Sequence, residues 1–169
     1  ELNIFEETPE HANRIVTSSP VLSHKKLNTL LKSKRFKSQE FKLVFSKSET
    51  LESALIKLGD KVESAVKKGN VLIHLIEEMP EDNNLSINAL LATGYIHQQL
   101  INGGLRTDAN IIVSTASARD THSIACLISY GATAIYPWLA FQSILDLTNK
   151  GELKGSPTEN CAKYRKGIN

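Results

Sequence analysis

Two nearly continuous apolar runs, "NVLIHLIEE" at 70–78 and "ANIIVSTA" at 109–116, constrain this chain more than any other feature. A strand that does not alternate apolar with polar residues is covered on both faces, which is the condition of a parallel sheet between helices. Helical patterns flank both runs. In "SETLESALIKLGDKVESAVKKG" (48–69), Leu51, Leu55, Leu58, Val62 and Ala65 recur at helical spacing. Ser48 is the expected start of that helix, and Gly69 its stop. "SINALLATGYIHQQLINGG" (86–104) reads as a second helix, ended by Gly103 and Gly104. Ser117 and Asp120 read as an S-x-x-D capping box for "ARDTHSIACLISY", which Gly131 closes. "TAIY" (133–136) is a short strand, and Pro137 suits the first position of the helix that runs to Gly151. Near the start, "RIVTSSPVL" (14–22) opens as a strand and is broken by Pro20, and Leu27, Leu30 and Leu31 mark a helix. "FKLVFSK" (41–47) alternates Phe41, Leu43 and Phe45 as one half-buried strand. The expected fold is α/β, about five βα units with a mostly parallel sheet flanked by helices, in a single domain over 1–169. A closed eight-unit barrel takes about 250 residues, more than this chain supplies.

With 41% hydrophobic and 22% charged residues, the composition is that of a soluble globular domain. No apolar run approaches the roughly 20 residues that span a bilayer, so no membrane association is expected. The opening "ELNIFEETPEHANR" lacks a basic region followed by an apolar one, so no signal peptide is expected. Glu1 is not an initiator methionine, and the chain is expected to begin inside a longer one. Two cysteines, Cys126 and Cys161, without paired spacing suggest a reduced, cytoplasmic protein. Charge is unevenly spread. "HKKLNTLLKSKRFKSQEFKLVFSK" (24–47) carries seven lysines and one arginine against one glutamate, a net of +7 within a chain of +2. A free-standing protein could use such a stretch, Arg35 included, on an anionic partner such as nucleic acid. No RNA-binding signature accompanies it, and a solvated face is the simpler reading.

Phosphate-binding loops are absent: the Gly103–Gly104 pair fits neither GxGxxG nor GxxxxGK[ST] and follows a helix. A small flavin- or phosphate-binding enzyme would therefore rest on fold analogy alone. His74, inside an apolar strand, reads as a core histidine satisfied by a hydrogen bond. His97 and His122, on successive helices, could meet at one sheet edge, but no cysteine or acid stands at ligand spacing. Ser114, Ser117 and Ser123 lie near His122 without a GxSxG elbow. Cys126, between Ala125 and Leu127, reads as a small core residue. Arg119 and Asp120 follow a parallel strand at its C-terminal end, where α/β proteins place their ligands. Arg119, Asp120, His122, His97 and Arg106 are the candidates for a polar strand-end or interdomain network.

The run "LRTDANIIVSTASARDTHSIACLISYGATAIYPWLAF" (105–141) closely resembles the central domain of the glutamate synthase large subunit. The resemblance extends back through "LLATGYIHQQLI" and "NVLIHLIEE" to "SSPVLS", and forward to "KYRKGIN" at the end. It implies an incomplete, reduced TIM-type barrel that carries no catalytic, cofactor or metal residue of its own. It also implies neighbours on both sides: a glutaminase domain before it and a flavin-binding synthase barrel after it. FMN and an iron–sulfur cluster would belong to the parent enzyme, outside this segment. By the same resemblance the module bridges two active sites and shapes the ammonia passage between them, and exposes apolar surface where its neighbours are missing. Side chains on the outward faces of the helices that hold Tyr95, Trp138 and Phe141 are the expected patch. Three departures stand out. Leu75-Ile76-Glu77-Glu78 replaces the family's "LSDR", Ser114 stands where glutamate is usual, and Ser123 replaces the second of two adjacent histidines. Arg119, His122 and "GATAIYP" keep the pattern.

Overall fold

The computed structural model describes residues 8–9 and 14–168; most of the acidic opening stretch and Asn169 lie outside the described residues. In chain order the elements are α1 (His24–Leu31), β1 (Ser38–Lys42), β2 (Val44–Ser46), α2 (Leu51–Lys67), β3 (Leu72–Ile76) and β4 (Asn84–Ser86). They continue with α3 (Ala89–Asn102), a 3₁₀ turn (Arg106–Asp108), β5 (Asn110–Thr115), α4 (Thr121–Ser129), β6 (Ala134–Pro137), α5 (Trp138–Asn149) and α6 (Pro157–Ile168).

β1, β3, β5 and β6 form a four-stranded sheet in that order, every pair parallel. Consecutive strands that are also spatial neighbours need right-handed crossovers, which put the connecting helices on one face. Accordingly Leu55, Leu58 and Val62 of α2, Ala92 and Ile96 of α3 and Ile124 of α4 share one core with Ile73, Leu75, Ile111 and Val113. The other face is covered differently. Val21 bridges Ile135 at the β6 edge, whereas β1 lies at the opposite edge. The chain between them must cross the sheet, and α1 does so, packing Leu27 with Leu22 on Leu72, Ile112 and Ala134. Four strands and the Val21 bridge make an incomplete α/β barrel-like unit with α1 laid across its inner face. No helix among the described residues is long and apolar enough to cross a membrane.

Local boundaries differ from expectation in five places. The predicted strand 41–47 is two. Leu43, fully buried, ends the parallel pairing, and β2 then turns away to pair antiparallel with β4. Within 14–22 only Val21 pairs, because the chain bends at Ser18 and Pro20. α2 is capped by Thr50, which accepts from the Ser53 amide, not started by Ser48. Pro137 is the last residue of β6, and α5 begins at Trp138. Helix α6 went unread, since its polar sequence buries no side chain fully and so shows little periodicity.

Candidate functional site

The C-terminal edge of the sheet is where side chains from different strands converge. Glu77 follows β3 there, and its amide donates to the Ser114 carbonyl at 2.8 Å, extending the β3–β5 ladder by one residue. Its side chain, only 8% exposed, turns toward the chain leaving β5. Oε2 accepts from Thr115 Oγ1 at 2.5 Å, the Ala116 amide at 2.8 Å and the Ser117 amide at 3.1 Å. Ser117 Oγ lies 2.7 and 2.6 Å from the two carboxylate oxygens. Burial alone pushes this carboxyl up; the hydrogen bonds from Ser117, Thr115 and Ala116 outweigh it and hold it below its ordinary value. Trp138 Nε1 donates to the Glu77 carbonyl at 2.9 Å, so one residue ties together the exits of β3, β5 and β6.

On the inner face, β3 carries buried His74 between two partners. Nδ1 lies 3.3 Å from Glu40 Oε1 on β1, and Nε2 lies 2.7 Å from Ser114 Oγ on β5. A carboxylate can only accept, so Nδ1 carries the hydrogen and Nε2 accepts from the serine. Desolvation lowers the His74 pKa, and Glu40 opposes that only in part. Serine, histidine and acid stand in the order of a nucleophile relay. Yet Ser114 sits inside the ladder between Ile76 and Tyr136, without the strand-to-helix elbow that exposes a nucleophile. The arrangement is a cross-strand brace.

The five network candidates fall into two groups. Asp120 and His122 occupy the start of α4, beside a small cavity of about 230 Å³ lined by Thr115, Ser117, His122 and Cys126. Asp120, not Ser117, is the N-cap: Oδ1 accepts from the Ser123 amide at 2.8 Å, which holds its carboxyl below the ordinary range. Ser117 is committed to Glu77 instead. Cys126 is half-buried rather than core, with Sγ 3.6 Å from His122 Nε2 one turn away. Arg119 is exposed, and its carbonyl accepts from Tyr164 Oη at 3.0 Å.

His97 and Arg106 lie at the other end. Arg106 Nε donates to His97 Nδ1 at 2.8 Å, and its two terminal nitrogens donate to the carbonyls of Ala109 and Gly131 at 2.7 and 2.8 Å. Burial, reinforced by the Arg106 charge, lowers the His97 pKa. Gly131 closes α4 while Asp120 opens it, so His97 and His122 are a helix length apart. They do not meet. Among the described residues no group of three or more His, Cys, Asp or Glu is placed to hold a metal, and Cys126 and Cys161 lie on different helices. These residues do not fit an iron–sulfur cluster.

Glu77 and the His74–Ser114 pair were missed as a network because their side-chain partners are 34–40 positions away and set by strand register. An acidic residue ending an apolar strand, opposite a Thr-Ala-Ser turn, was the available signal.

Compared with known proteins, residues 1–169 match the family described as the glutamate synthase central domain. The chain is 40% identical over 147 residues, 83% of its length, to the chloroplastic ferredoxin-dependent glutamate synthase of Oryza sativa subsp. japonica. It is 37% identical over 183 aligned residues, 99% of its length, to the chloroplastic ferredoxin-dependent glutamate synthase 2 of Arabidopsis thaliana. To the large chain of glutamate synthase [NADPH] of Bacillus subtilis (strain 168) it is 35% identical over 168 residues, 98% of its length. It spans only 9% to 11% of the length of these relatives. A match over every residue, with the barrel-like sheet and the braced strand ends beneath it, means that this chain belongs to the glutamate synthase central domain family.

Proposed function

We propose that this chain is the non-catalytic central module of a glutamine-dependent glutamate synthase and serves glutamate biosynthesis and ammonia assimilation. The parent reaction forms two glutamates from glutamine, 2-oxoglutarate and two reducing equivalents. The module bridges a glutaminase domain and a flavin-binding synthase domain and shapes the passage of ammonia between them. FMN and the iron–sulfur cluster belong to the parent outside this segment, and cytoplasmic residence is part of the same reading. The family match across residues 1–169 carries it. Glu77 supports its non-catalytic part, because both carboxylate oxygens are engaged by the turn after β5 and act as a brace.

The test has two arms. The isolated chain is assayed for glutaminase activity and for glutamate formation from 2-oxoglutarate and ammonia, and neither is expected above background. In the parent enzyme, Glu77→Ala with Ser117→Ala is expected to lower glutamine-dependent synthesis relative to ammonia-dependent synthesis, with free ammonia escaping. Activity of the isolated chain, or an unchanged ratio, overturns the proposal.

The free-standing nucleic-acid reading has one observation in its favour, the exposure of Lys25, Lys26, Lys32, Lys34, Arg35 and Lys37. Against a single basic stripe, Lys42 pairs with Glu78 at 3.1 Å and Lys47 donates to the Asp82 carbonyl at 2.6 Å. Salt-sensitive retention of RNA or DNA in filter binding would favour that reading.

A further inference from the structure

Beside β6, α1, α5 and α6 line a cleft of about 760 Å³, and Trp138, whose indole N–H bonds the Glu77 carbonyl, is on its wall. Its floor is aromatic. Tyr136 and Phe141 stack with centroids 5.8 Å apart at 26°, and the His24 ring lies 5.8 Å from Tyr136. Phe141 also meets Tyr164 edge-on at 5.6 Å, which fixes its plane. Its rim is cationic. Lys25 and Arg165 line it, and no aspartate or glutamate does. Arg165 is half-buried, yet its guanidinium has no hydrogen-bond or ion-pair partner among the described residues. Elsewhere in this molecule the half-buried guanidinium, that of Arg106, has a partner at each of its three nitrogens. A guanidinium with no partner among the described residues, lining the same cleft as stacked rings, is suited to take an anion there. The volume falls within the roughly 300–1,000 Å³ of small-molecule sites, and an apolar floor with a few convergent polar groups is their usual lining.

We propose that this cleft binds a small planar aromatic anion, a ring bearing a carboxylate or phosphate, with the ring against Tyr136 and Phe141 and the charge at Arg165. Ring stacking and a half-buried guanidinium each select a different half of that ligand, so neither a neutral aromatic nor a simple anion satisfies the site. The site is separate from the proposed place of the chain in glutamate synthase, and its test does not depend on that reading.

Cys161 lines the cleft and Cys126 does not, which supplies a local reporter. Burial pushes the Cys161 thiol up, so this 169-residue chain is alkylated with iodoacetamide at alkaline pH and each cysteine is followed by peptide mass spectrometry. The probes are 2-naphthoate, its neutral analogue 2-naphthamide, and acetate. Saturating 2-naphthoate is expected to slow alkylation of Cys161 by about fivefold or more, as mass action requires of an occupied site, and to leave Cys126 unchanged. The amide and acetate should have little effect. Arg165→Gln should remove the advantage of naphthoate over naphthamide while the rate at Cys126 shows the fold intact, and Arg165→Lys should restore part of it. No protection, equal protection by the amide, or equal protection of both cysteines overturns the proposal; equal protection by the amide would mark a merely apolar groove.

Discussion

Glu77 shows how much one side chain can hold. Replacing it by alanine removes the acceptor of the Thr115 hydroxyl and of the amides of Ala116 and Ser117 in a part-buried turn. Each buried unsatisfied group costs about 1–3 kcal/mol, and partial rehydration of the turn limits the sum for Glu77→Ala to about 2–4 kcal/mol in urea denaturation. The sign of the pH dependence follows from the lowered pKa. Glu77 stabilises fully above the unfolded-chain value of about 4.3, and that stabilisation is lost as pH falls through the lower folded value. Glu77→Gln should therefore flatten the acid limb of stability below about pH 4.3. His74 acts in a different window. Desolvation makes its folded pKa lower than the unfolded value of about 6.5, so the unfolded state binds the proton first and stability falls as pH drops from 7 through that value. His74→Gln should remove this slope while leaving the acid limb of Glu77. A slope unchanged by the substitution would contradict the brace.

At the scale of elements, α4 separates two serine and aspartate roles that look interchangeable in sequence. Asp120→Ala removes the cap and should cost about 1 kcal/mol, with faster hydrogen exchange at the Ser123 amide. Ser117→Ala should leave that amide unchanged, because Ser117 donates to Glu77. Its cost should appear instead as exchange at Ala116. The far end of α4 depends on Gly131, whose φ is +110° and whose carbonyl accepts from Arg106. A Cβ there would also run into the His97 ring. Gly131→Ala should destabilise by about 2 kcal/mol, combining left-handed strain with displacement of His97 from Arg106. The helix patterns were legible in sequence because α2 and α3 each bury one face. Helix boundaries were not, since several polar residues near each start are equally good caps and the choice depends on which has another partner.

For the whole molecule, exposed apolar side chains do lie on the outward faces of the helices that the sequence singled out, Leu91 and Ile101 on α3 and Leu145 and Leu147 on α5. Tyr95, Trp138 and Phe141 are half-buried, Tyr95 over Gly59 on α2 and Trp138 through its bond to Glu77. The exposed side chains at the C-terminal edge are Met79 (76% exposed), Leu51, Leu85 and Leu91. They sit just past β3, on β4 and at the starts of α2 and α3, on the same side as Glu77. Separated from its neighbours, the chain should self-associate through this edge in sedimentation velocity, and Met79→Lys with Leu85→Lys should weaken the association. A chain that stays monomeric at high concentration would contradict a docking role for this edge.

Sequence alone determined the α/β class and the parallel sheet, because hydrophobic burial leaves a pattern that local residues must obey: Leu72 to Ile76, His74 excepted, and Ile111 to Val113 are apolar since both faces are covered. It also determined where chain direction changes, through Gly69, Gly104 and Gly131. Which polar groups meet was decided only by the tertiary structure. Strand register set His74 between Glu40 and Ser114, and the exits of neighbouring strands brought Glu77 to Ser117. The crossing of α1 from the β6 edge to β1 was equally invisible, since nothing local to Leu27 says which face of a sheet it will cover. Burial is written residue by residue, whereas hydrogen-bond partners are chosen by geometry that exists only once the strands lie side by side.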